Sequence, residues 1–155
     1  MCPYNNKGLN PMLDSLGASP ILLPILCLGL WTFVMLAWTV VTRLPAIAAA
    51  KLGPDAGQRT AELGDQLPKE VQWKADNYNH LMEQPTVFYA VAITLAVAGL
   101  GDDINTMLAW FYVGSRVVHS IAHATTNTVL VRFLIFGLGT AALLAMTIRG
   151  ILGMV

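Results

Sequence analysis

Between Asp14 and Arg43 the chain carries no charged residue, and the centre of that stretch, ILLPILCLGLWTFVMLAWTVVT, is almost wholly apolar. A helix of about 20 such residues crosses a bilayer, so the pattern predicts a first span over about 19–43. Pro20 suits its start, Pro24 falls within its first turns where it would kink the outer end, and Arg43 with Leu44-Pro45 closes it. A connection of mixed charge occupies 44–83. Its first part, with Gly53-Pro54, Gly57 and Gly64, reads as a mobile loop with some helical content. Pro68-Lys69-Glu70 then opens a long helix. That helix begins with the polar stretch KEVQWKADNYNHLMEQ and continues, bent near Pro85, into PTVFYAVAITLAVAGLG, a second span over about 84–101. Gly101-Asp102-Asp103 turns the chain into a third span over about 104–124, and a turn from Thr125 leads to a fourth over about 128–149. The pattern is that of a single domain over 1–155, an all-α integral membrane protein built as a four-helix bundle.

Composition supports this reading and removes others. Hydrophobic residues make up 55% of the chain and charged residues 12%, with mean hydropathy +0.60; soluble domains carry about 25% charged residues. The net charge of zero lacks the basic excess of a nucleic-acid-binding surface. Cys2 and Cys27 offer no disulfide framework, and Cys27 reads as a small apolar packing residue. The polar N-terminus does not have the pattern of a cleavable signal peptide, so the first span is expected to stay in the mature protein.

Basic residues set the orientation. Arg43, Lys51, Arg59, Lys69 and Lys74 surround the first connection, against Lys7 alone in the N-terminal tail and none in the turn at Asp102. The side rich in Lys and Arg is cytoplasmic, so both termini are expected in the periplasm or lumen.

Three polar groups then fall at one depth: Asn79, His80 and Glu83; Arg116, His119 and His123; and Arg132. At 1.5 Å per residue Arg116 lies roughly 20 Å beyond Asp103, within the inner half of a core about 30 Å thick. Arg116, His119 and His123 follow i, i+3, i+7 and share a helical face, as His80 and Glu83 do at i, i+3. With Arg43 at the end of the first span they form a ring in which positive charge exceeds negative. Ionisable groups at such depth are costly and mark function by default. Guanidinium forks bind carboxylates in pairs, and a cationic hollow favours a thiolate over its thiol. The plainer alternative is structural: Arg116 and Glu83 neutralise each other across helices while Arg132 snorkels to the headgroups. The spacings in HSIAH and HLME would also let two ligands meet one ion, but the adjacent arginines oppose a cation, so no metal is expected.

These residues carry a family resemblance. NHLMEQPTVF on the second span, RVVHSIAH on the third and Arg132 opening the fourth resemble the MAPEG family, the membrane-associated proteins in eicosanoid and glutathione metabolism, over about Pro20 to Leu152. The resemblance implies a four-helix protomer in a homotrimer, with glutathione held between neighbouring protomers in the cytoplasmic leaflet and a small lipophilic second substrate. It implies that Arg132 activates the thiol, that Glu83, Arg116 and Arg43 grip the peptide, and that His80, His119 and His123 line the remaining wall. The chain differs from glutathione-using members in having His80 for asparagine, His123 for tyrosine, Asp76 and Asn79 for basic residues, and Phe133 and Phe136 where one branch has hydroxyls. These differences resemble a divergent bacterial branch, placed in the inner membrane. Two functions follow: a glutathione-dependent transferase or peroxidase, or a non-catalytic accessory subunit that kept the bundle and lost the ligand.

Overall fold

The computed structural model describes residues 19–53, 57, 63–64 and 66–155. Cys2, Lys7, Arg59 and most of the loop around Gly57 lie outside the described residues. Five α-helices and no strand make up the described part: α1 (Leu22–Ala49), α2 (Lys69–His80), α3 (Gln84–Val97), α4 (Asp103–Thr125) and α5 (Val129–Met154).

α1 runs past Arg43 and through Pro45 to Ala49, rather than ending at the arginine. Pro45 removes one hydrogen bond, that to the Val41 carbonyl, and the following Ala46–Ala49 stretch consists of strong helix formers but for Ile47. The helix stops at Lys51, whose φ of 51° starts a Schellman closure: Lys51 N–H donates to the Ala48 carbonyl and Leu52 N–H to that of Ile47. Pro24 is the third helical residue, where an N–H has no partner in any case, so it costs no bond.

α2 and α3 are two helices, not one bent helix. Leu81, Met82 and Glu83 form the break, and Glu83 has φ −86° and ψ −94°. Pro85 cannot donate to the Leu81 carbonyl, so the ladder has to be interrupted there and restarts with the proline in the first turn of α3. α3 closes at Gly99, φ 71°, in a second Schellman motif. Asp102 caps α4, its carboxylate accepting from Asn105 N–H at 2.7 Å.

The packed pairs are α1 with α3, α3 with α5, α5 with α4, and α4 with α1, so these four form a ring with α1 and α4 running in the same direction. At one end Gly101 lies against Ser19 and Ile21 while Gly153 lies against Leu100. At the other end α2 packs on both α1 and α4: Thr39 Oγ1 donates to the Lys74 carbonyl at 3.1 Å, and Lys74 Nζ donates to the Ala124 carbonyl at 3.4 Å. That ammonium also lies 5.5 Å from the Trp38 ring centre. A cation at the C-terminal end of α4 complements its dipole. The core joins Ile21, Leu28, Phe88, Leu95, Tyr112 and Met146, with Phe88 stacked on Tyr112 at 4.5 Å.

Outside, Leu26, Phe33, Leu130, Phe133 and Leu152 are each more than half exposed. α1 and α5 are long and apolar enough to cross a membrane. A sheath of large apolar side chains on a helical bundle is stable in hydrocarbon and not in water.

Candidate functional site

The polar side chains converge where α2 breaks against α4 and α5. His80, the last residue of α2, is the joint. Its Nδ1 lies 2.8 Å from Glu83 Oε2, and its carbonyl accepts from Arg116 Nη2 at 3.3 Å. Its ring centre is 5.1 Å from that of His119, 6.2 Å from His123 and 5.4 Å from Phe136. Burial is the largest influence on His80 and holds its pKa below 6.5; the Glu83 hydrogen bond opposes the shift and the Arg116 charge adds to it. The ring is neutral at pH 7. A carboxylate on Nδ1 then fixes the tautomer, with the proton on Nδ1 and an acceptor at Nε2.

A cleft of about 230 Å³ opens here, lined by His80, His119, Val129, Arg132, Phe133 and Phe136. It combines a guanidinium, two imidazoles and two phenyl rings. Arg132 is held at the mouth by a short hydrogen bond from Nη1 to Asn127 Oδ1, while its buried Nε has no protein partner. Asn127 supplies that acceptor from the turn between α4 and α5, in the left-handed region at φ 50°, a conformation asparagine tolerates better than most residues.

The other expected site residues are placed as follows. Arg116 is 1% exposed and lies behind the cleft wall, its guanidinium carbon 5.6 Å from the Phe136 ring centre. His123 is buried, 5.8 Å from His119 between ring centres. Glu83 has a side chain 68% exposed and pairs with His80, while its charge also acts on Arg116. Asn79 is exposed. Arg43 sits on α1 one turn beyond Thr39, which meets Lys74, and two turns beyond Met35, which packs with Leu81. It is therefore far along α2 from His80. Among the described residues no group of three or more His, Cys, Asp and Glu is arranged to hold a metal ion.

Sequence reasoning passed over Gln84. Its Nε2 donates to Thr140 Oγ1 at 2.8 Å and its Oε1 accepts from Tyr112 at 3.4 Å, tying α3 to α5 and α4 beside the cleft. A glutamine beside Pro85 at the head of an apolar run was the available signal.

The cleft fits an anion with an apolar neighbour. Its one guanidinium has a buried donor unpaired, and no carboxylate lines it. A thiolate or carboxylate end suits this donor set; the remainder of a peptide such as glutathione finds neither Glu83 nor Arg43 among the lining residues.

An all-helical integral membrane protein with a cationic cleft at one end of its bundle is the class these features define. The chain belongs to the MAPEG family, whose sequence model matches residues 21–152. No curated protein and no solved structure matches it.

Proposed function

We propose that this MAPEG protein is a membrane-bound glutathione transferase or peroxidase acting on small lipophilic electrophiles. The observation that carries this is Arg132, a cation without an acid partner, facing a cleft it shares with Phe133 and Phe136. Glutathione would supply the nucleophilic thiol. Arg132 favours the anionic form of whatever sulfur lies against it. His80, locked by Glu83, presents Nε2 as the acceptor for the thiol proton. The two phenyl rings hold the apolar partner, to whose electrophilic atom sulfur forms its bond as the leaving group departs. Arg116 adds positive field from behind.

The same reading includes four spans, both termini in the periplasm of a bacterial inner membrane, and a homotrimer. A neighbouring protomer would complete the cleft and supply contacts to the peptide that Arg43 and Glu83 do not make within one chain.

Calorimetry and thermal denaturation with glutathione test it. A ligand at 100 times its Kd stabilises by about 2.7 kcal/mol, which raises the melting temperature by several degrees. Absence of both heat and stabilisation at millimolar glutathione would overturn the enzymatic reading. The placement of Glu83 and Arg43 away from the cleft favours one alternative, an accessory subunit that binds no glutathione. In that case Arg132→Ala would alter assembly or nothing, whereas the enzyme would lose activity with assembly intact.

A further inference from the structure

Arg116 is a buried cation that the cleft does not satisfy. Its one hydrogen bond, from Nη2 to the His80 carbonyl, is 3.3 Å long, and its Nε and Nη1 have no protein partner. Glu83 is engaged by His80 at the rim. Arg116 does not line the cleft, so an occupant there leaves these donors unpaired. A charge taken out of water without pairing or hydrogen bonds is strongly unfavourable.

The register of α2 on α4 shows what lies beside it. Lys74 reaches the Ala124 carbonyl, and the His80 carbonyl is reached by Arg116. The two helices therefore run antiparallel, and Asn77, midway between Lys74 and His80, falls opposite Ser120, midway between Ala124 and Arg116. Both residues are 0% exposed. Asn77 Nδ2, Asn77 Oδ1 and Ser120 Oγ all lack a protein partner. Ser120 is four residues after Arg116, on the same face of α4. One seam thus gathers five unpartnered atoms: three donor nitrogens, one amide oxygen and one hydroxyl. Buried polar groups in native interiors are nearly always paired, and where protein does not pair them ordered water does.

We infer that the α2–α4 seam is an internal water-binding site, in which Asn77 and Ser120 hold one or more water molecules against the free N–H groups of Arg116. The water solvates the guanidinium N–H groups that neither the His80 carbonyl nor Glu83 pairs. Asn77 and Ser120 are positioning residues: they fix the cation whose field reaches the cleft from behind. This goes beyond the catalytic reading and stands without it, because no part of it needs glutathione.

Hydrogen–deuterium exchange at the Arg116 side chain tests it. In protein labelled with nitrogen-15 at arginine and reconstituted in lipid, the Nε–H resonance is assigned by its loss in Arg116→Lys. Exchange into deuterated buffer should be complete within minutes despite the burial of that nitrogen. The double variant Asn77→Leu, Ser120→Ala should slow it at least tenfold. Ser120→Ala alone, which removes a single oxygen, serves where the double variant does not assemble, and it should lower the melting temperature, since it strips a water of one partner. A hydroxyl with no partner would give the opposite sign. Protection of Arg116 Nε–H for hours in the unaltered protein, exchange unaffected by the variants, or a raised melting temperature in Ser120→Ala would each overturn the inference.

Discussion

His80 concentrates the chemistry of the site in one residue, with a carboxylate on its ring, a guanidinium on its carbonyl and three rings around it. Its pKa lies below 6.5 in the folded protein, so the unfolded chain binds the proton more readily. Stability contributed by the neutral ring is complete above the unfolded value and is lost as pH falls below about 6.5. Thermal denaturation should therefore give a melting temperature that drops between pH 7.5 and 5.5, with a shallower slope in His80→Gln; equal slopes would count against this role. At the mouth of the cleft, if the proposed function holds, Arg132→Ala should weaken glutathione binding about 10- to 100-fold by calorimetry, from the roughly 1.5–3 kcal/mol of a charged hydrogen bond, and leave the melting temperature of the unliganded protein nearly unchanged. Residue spacing foretold part of this arrangement. The i, i+3, i+7 series put Arg116, His119 and His123 on one face, and all three are buried. The same spacing placed His80 and Glu83 together, and they pair at 2.8 Å; the backbone break at Leu81–Glu83 that exposes the carboxylate was not legible, because it depends on where the helix is interrupted.

At the scale of the element, that break is set by Pro85. In Pro85→Ala the regained N–H can bond the Leu81 carbonyl and let α2 run on into α3. The variant should lose the His80–Glu83 pairing and, if the proposed function holds, bind glutathione more weakly by calorimetry, while its melting temperature moves by only a few degrees; retention of full affinity would show that the break does not shape the cleft. Close packing of α4 on α5 makes a sharper contrast. A Cβ at Gly139 would fall 2.5 Å from Ser115 Oγ, which is already bonded to the Tyr112 carbonyl at 2.7 Å, whereas one at Gly137 meets nothing within 4 Å. Gly139→Ala should destabilise by about 1–3 kcal/mol, and Gly137→Ala should be neutral or stabilise by up to about 1 kcal/mol, both read from chemical or thermal denaturation in detergent. Turn chemistry was the most legible part of the chain: Pro68 and Asp102 stand at helix ends for the reasons their residue types suggest, whereas Gly99 closes α3 inside the stretch read as the second span. Arg43-Leu44-Pro45 misled, since one missing N–H does not end a helix whose continuation is rich in alanine.

For the whole molecule, the two ends of the ring of helices differ in how many basic residues they carry. At the end formed by Gly101 and Gly153, the Arg149 cation is taken up by Asp102 at 2.8 Å and by the Asn105 side-chain oxygen at 3.0 Å. It is thereby largely neutralised. At the other end stand Arg43, Lys51, Lys69 and Lys74, with Glu70, Asp76 and Glu83 as the acids outside the cleft among the described residues. Lys and Arg, rather than net charge, bias orientation during insertion, and on that count the proposed orientation puts the end carrying α2 and the cleft in the cytosol, where glutathione is plentiful if the proposed reaction is correct. Single cysteines placed at Asp103 and at Lys69, in a chain whose Cys2 and Cys27 are replaced by serine and alanine, separate the two ends. A membrane-impermeant maleimide should label the cysteine at position 103 in intact spheroplasts and the one at position 69 only after lysis. Labelling in the reverse order would place the cleft outside and remove the rationale for a cytosolic thiol. Native mass spectrometry of the detergent-solubilised protein should give a particle of about three times the 16.7 kDa protomer if, as proposed, a neighbouring chain completes the cleft; a monomer that binds glutathione at full affinity would show that one chain suffices.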